Sequence, residues 1–194
     1  MTEAKRITTK NLILTGMFTA LICVFSQIII PVQPIPFSLS LIAVYLTGAL
    51  LEPKYALLSA LTYILLGSFG LPVFAGFKGG PHVLTGMTGG FIMSYPIMAF
   101  ITSASYKFSY KLSLKLSKKI KTITAMGLQV LGMLISLFVC YFIGTVWFCY
   151  VSDSKIIYAL SVCVLPFIPL DLIKILMVAA TATVLRNVAI KVRA

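Results

Sequence analysis

Acid is the scarcest chemistry in this chain. Four residues of 194 are Asp or Glu, one is His and one is Trp, and charged residues total 10%. A single histidine, His82, cannot build a metal site alone and is read as a loop residue. The four cysteines, Cys23, Cys140, Cys149 and Cys163, form no CxxC pair and lie in or beside apolar segments, so they read as small hydrophobes. No Ser-His-Asp set, HExxH or Walker motif is present, so no catalytic residue, no metal and no cofactor is expected.

What fills the space is apolar: hydrophobic residues make up 60% of the chain, in recurrent runs of about 20 residues that suit a bilayer crossing. This excludes soluble and disordered classes and predicts an all-α integral membrane protein, a single membrane domain over 1–194. Six spans are expected, at about 12–30, 38–51, 55–69, 91–105, 123–150 and 169–185. The first is long enough, and lacks a small-residue cleavage site, to act as its own insertion signal rather than a removed leader. Span 2 is short for a crossing. Pro31, Pro34 and Pro36 predict a stiff extended connector before it, and Pro96 predicts a kink in span 4. The apolar stretch 156–167 reads as an interfacial or re-entrant piece.

A net charge of +12 could suggest nucleic acid, but the basic residues cluster at the ends of the apolar runs, as in membrane proteins. With both termini cytoplasmic, 13 of the 16 basic residues lie inside, and only Lys78 and Lys155 lie outside. That asymmetry sets the expected orientation in a cell membrane. Lys107 to Lys121 carries six of these lysines among Leu, Phe, Tyr and Ser, and reads as an interfacial helix on anionic lipid.

Two regions then meet at the expected outer mouth. One is the start of the last helix, where Asp171 and Lys174 stand three residues apart and so project from one face. An ionisable group inside a span is by default a functional-site hypothesis. The alternative is a structural ion pair between helices. The irregular, proline-flanked helix start favours a cavity, in which acid and base offer acceptors and donors to a compact polar head group. The other region is the loop from Gly70 to Gly90; eight of the thirteen glycines fall between Gly67 and Gly90. It predicts an irregular external structure whose N–H groups could form an anion nest at Gly79 and Gly80 beside Lys78, with Phe74, Phe77 and Leu84 covering something apolar. In span 1, Gly16 and Ala20 form a small-residue surface that a second helix could approach closely; ordinary internal packing explains it equally well.

The chain resembles the BioY family, the biotin-specific substrate-binding S components of energy-coupling factor (ECF) vitamin transporters. The resemblance runs from Leu12 to Arg186. It rests on Pro34-Ile-Pro-Phe-Ser-Leu, Gly48-Ala-Leu-Leu-Glu-Pro-Lys-Tyr and Leu66-Gly-Ser-Phe-Gly-Leu-Pro-Val-Phe-Ala-Gly. Most specific are Gly86-Met-Thr-Gly-Gly and Leu165-Pro-Phe-Ile-Pro-Leu-Asp-Leu-Ile-Lys. It implies a prokaryotic membrane subunit with six helices, an outward-facing biotin pocket and a helix-1 motif that docks on a transmembrane coupling subunit. ATP would be hydrolysed by two separate ATPase subunits. The chain departs from the family pattern at Met87 (usually proline), at Leu170 (commonly glycine before the acid), and at Ser40 and Lys78 (commonly a glutamine and a small or amide residue). The competing readings are an S component for another small vitamin, a stand-alone ion-coupled secondary transporter and, least supported, an intramembrane enzyme.

Overall fold

The computed structural model describes residues 9–30, 37–113 and 118–191. The proline connector at 31–36, the outermost basic residues at both ends and part of the 107–121 lysine stretch lie outside them. Among the described residues there are eight helices and one two-stranded sheet.

Helix α1 (Thr9–Gln27) is built inside out. Its buried stripe is Thr15, Thr19, Ile22 and Ser26, while Leu12, Ile13, Met17 and Val24 face outward. Outward apolar side chains suit lipid, and the inward hydroxyls close onto backbone and neighbours. Thr19 Oγ1 lies 3.0 Å from the Ser59 carbonyl, and Ser26 Oγ donates to Tyr63 Oη at 3.0 Å. Strands β1 (Ile29–Ile30) and β2 (Phe37–Ser38) pair antiparallel, with Ile29 opposite Ser38. Ser38 therefore belongs to a strand, not to the second span. Its hydroxyl accepts the Ser40 N–H at 3.0 Å, engaging one of the amides that a helix start leaves open, and α2 (Ser40–Leu50) begins there.

At 11 residues α2 is short, and it is buried on nearly every side. It touches α1, α3, α5 and α8, so it stands at the centre of the bundle. Helix α3 (Pro53–Ser68) starts with proline in its first turn, where no N–H is missed. The following loop is less irregular than expected. Phe74 and Lys78 pair through their backbones, and Pro81–Thr85 forms the short helix α4. Gln27, at the end of α1, clamps this loop with both ends of its amide: Nε2 donates to the Val73 carbonyl at 2.9 Å and Oε1 accepts the Phe77 N–H at 2.8 Å.

Helix α5 (Gly89–Ser113) runs well past the expected end at 105 and continues through Pro96. Helix α6 (Lys118–Ser152) starts before the expected 123. Among the described residues the lysine stretch is divided between two helices: Lys107 and Lys111 lie on α5, and Lys118 opens α6. Long basic side chains can reach water from helix ends, which lets both helices extend beyond their apolar sections. Helix α7 (Ile156–Cys163) and α8 (Ile168–Lys191) follow, with a 50° bend between α7 and the 168–182 part of α8.

By length and composition two described helical segments, Thr9–Gln27 and Thr124–Ser152, can cross a membrane, and a third if α7 and α8 count as one bent span. The chain is thus a mostly helical membrane fold.

Candidate functional site

On α8 the buried residues are Asp171, Lys174, Ile175, Val178, Ala179 and Ala182, one stripe at helical spacing. The opposite side is equally apolar, with Leu172, Ile173, Leu176 and Met177 exposed, so only the two charges mark which face turns inward. Asp171 and Lys174 are 2% and 3% exposed. Both line a partly open cavity of about 70 Å³ formed by residues of β2, α2, α5, α6, α7 and the start of α8.

The ion pair is closed within one helix turn: Lys174 Nζ lies 2.9 Å from Asp171 Oδ1. Each charge also has a partner from elsewhere. Tyr141 Oη on α6 donates to Asp171 Oδ2 at 2.6 Å. Lys174 Nζ donates to the Ser38 carbonyl at 2.8 Å and sits 3.7 Å from the centre of the Phe37 ring. Asp171 lies in the first turn of α8, where the helix dipole favours negative charge. Burial of two ions is tolerable when each is paired and hydrogen-bonded, and both conditions hold.

A second set of polar groups lines the same cavity. Ser38 Oγ, Ser40 Oγ and Tyr95 Oη form a chain with spacings of 2.5 Å and 2.7 Å. The rest of the lining is Phe37, Leu41, Phe91, Cys140, Cys163 and Phe167, with Phe37 stacked on Phe167 at 5.9 Å. The cavity thus combines aromatic walls with a polar end where one acid, one base and several hydroxyls converge.

The sequence-derived candidates divide at this point. Asp171 and Lys174 line the cavity; Lys78, Gly79, Gly80 and Phe74 do not. Phe74 is fully buried, edge-on to Tyr63 at 5.5 Å, and acts as the loop's anchor. The Gly80 N–H donates to the Gly67 carbonyl at 2.7 Å, so it is engaged rather than open to an anion. Lys78 is exposed, as is His82 on α4. Gly16 and Ala20 are exposed on α1, and a methyl added to Gly16 would meet nothing within 4 Å, so tight internal packing does not account for the glycine. Sequence reasoning missed Tyr141, Tyr95, Ser38, Phe37 and Phe167. Phe37, Ser38 and Phe167 stand within the family motifs without a role that spacing reveals, and aromatic residues are common in spans and carry no mark of their partners.

Residues 1–191 match the model of the BioY family. The biotin transporter BioY of Thermotoga maritima is 38% identical over 186 residues, covering 94% of this chain and 99% of that protein. A probable biotin transporter BioY of Pyrococcus horikoshii is 36% identical, covering 91% and 93%. Among solved structures, the S-component for biotin from an ECF-type ABC transporter superposes with a TM-score of 0.78 at 26% identity, covering 96% of this chain and 95% of that one. This chain belongs to the BioY family.

Proposed function

We propose that the chain is the biotin-capturing S component of an ECF-type vitamin transporter, a non-catalytic subunit that takes biotin from outside and delivers it with energy from partner ATPases. The observation that carries this reading is the buried Asp171–Lys174 pair at the polar end of an aromatic-walled cavity. Because the two charges already neutralise one another, the pair suits a neutral head group with both donors and acceptors. Biotin's ureido ring fits: Asp171 accepts from its N–H groups, and Lys174 donates to its carbonyl. The bicycle lies against Phe37, Phe91 and Phe167. The carboxylate end reaches toward water and Lys78, with the Gly79 amide nearby.

The wider reading is a single membrane domain of six crossings with both termini cytoplasmic and the 70–90 loop outside. The short α2 counts as a crossing because it is shielded by its neighbours. Gly16 and Ala20 form the face that docks on the coupling subunit. Ala20→Trp is expected to leave biotin binding intact and to prevent co-purification with the coupling and ATPase subunits; unchanged complex formation would move docking to another face.

The deciding experiment is titration of the purified chain in detergent with biotin, thiamine and riboflavin. Biotin alone is expected to bind. Binding of thiamine or riboflavin without biotin would make the chain an S component for another vitamin.

A further inference from the structure

We propose that Tyr141 is a positioning residue that fixes the hydrogen-bond polarity of the Tyr141–Asp171 side of the cavity, and that this polarity selects ligand heads presenting N–H donors. The inference rests on the biotin reading and adds a residue to it.

An ionised carboxylate has no hydrogen to give, so between Tyr141 Oη and Asp171 Oδ2 the proton can lie only on the tyrosine side. The 2.6 Å spacing is that of a charge-assisted O–H···O⁻ bond. Tyr141 therefore has no donor left for a ligand, only lone pairs. Asp171 Oδ1 lies 2.9 Å from Lys174 Nζ and has no aligned hydrogen-bond partner, so it also keeps acceptor capacity. At the Tyr141–Asp171 contact every free site is therefore an acceptor, while Lys174 beside it remains a donor.

The Ser38–Ser40–Tyr95 wall behaves differently. In the chain Ser38–Ser40–Tyr95 either atom of each link can be the donor, so its hydroxyls can turn to suit what arrives. One wall has a set direction and the other adapts. A ligand head with two N–H groups can commit them to the first wall, while its remaining edge faces Lys174 or the hydroxyls. Tyr141 acts through Asp171: by holding Oδ2 it leaves the ligand a single carboxylate oxygen rather than a free pair.

Tyr141→Phe keeps the ring that lines the cavity and removes only the hydroxyl. The full chain in detergent, wild type and variant, is titrated with biotin and with 2-iminobiotin, whose cyclic guanidinium replaces the carbonyl by a further N–H donor. Loss of a hydrogen bond to a charged group is expected to weaken biotin roughly ten- to hundredfold. 2-Iminobiotin is expected to lose less than biotin, because the freed Oδ2 lets Asp171 meet a planar cation through two parallel bonds. The preference for biotin should therefore narrow by about tenfold or more. Equal losses on the two ligands would make Tyr141 merely structural and overturn the inference, as would an unchanged affinity for biotin. A wild-type chain that fails to bind biotin would instead remove the underlying reading, and this inference with it.

Discussion

The start of α8 and the glycine-rich loop both follow breaks in helical backbone, yet their unusual residues meet different neighbours. At α8 the two charges converge on a cavity and are held there by three residues of two other elements: Tyr141 on α6, and Ser38 and Phe37 on β2. In the loop and the helix ends that flank it the special residues meet the protein itself. A methyl on Gly67 would overlap the Phe74 ring, and one on Gly90 would overlap Trp147, whose Nε1 donates to the Gly86 carbonyl at 2.9 Å. These glycines let aromatic rings pack against backbone. Charge in an apolar setting costs free energy that a ligand site or an ion pair must offset, whereas glycine has several uses, of which ligand contact is only one.

The largest effect should come from breaking the pair on one side. Lys174→Met leaves Asp171 buried without its counter-ion, so we expect destabilisation of about 3–5 kcal/mol and roughly hundredfold weaker biotin binding. The double variant Asp171→Leu with Lys174→Met removes both charges. Its stability should return toward wild type while binding stays lost, because apolar replacement of a buried ion pair is often neutral or stabilising. Thermal unfolding in detergent and calorimetric titration read the two quantities separately. Recovery of binding in the double variant would reduce the pair to a structural device and erase its contrast with the loop.

A smaller and differently distributed effect is expected where α3 supports the loop. Gly67→Ala pushes on Phe74, which is fully buried against Tyr63, so overpacking should cost about 1–3 kcal/mol of stability. Biotin affinity should fall no more than about fivefold, since Phe74 does not line the cavity and only an exposed contact at Lys78 would be disturbed. A loss as deep as that of Lys174→Met would show the loop to be part of the site.

The contrast also accounts for what could be read beforehand. The start of α8 was legible because one acid and one base stand out in a chain with 10% charged residues. Tyr141 was not, because nothing in an apolar run says that one tyrosine faces a carboxylate thirty positions away. The two-residue strands were hidden for want of length: Ile29–Ile30 and Phe37–Ser38 are too short to show alternation. Helices α5 and α6 outran their expected ends because apolar runs mark the bilayer's reach, while a helix with basic side chains continues into the interface. The inward polarity of Thr15, Thr19 and Ser26 follows helical spacing, but it is outweighed in any average by the apolar residues facing outward.

The smallest expected effect lies at Lys78, and it tests the assignment of biotin's two ends. Lys78 is exposed, so a contact with the ligand carboxylate there is screened by water and should contribute about 1 kcal/mol or less. Lys78→Ala should weaken biotin by that amount and leave biotin amide unaffected, because the amide has no charge to lose. The difference should shrink in 1 M salt, where the screening length is about 3 Å. If Lys174 held the carboxylate instead, biotin amide would bind wild type more weakly by about 3–5 kcal/mol and Lys78→Ala would do nothing. The geometry opposes that arrangement. Lys174 is already paired with Asp171 at 2.9 Å, and a second carboxylate brought to the same ammonium would lie against the first with no cation left to separate them.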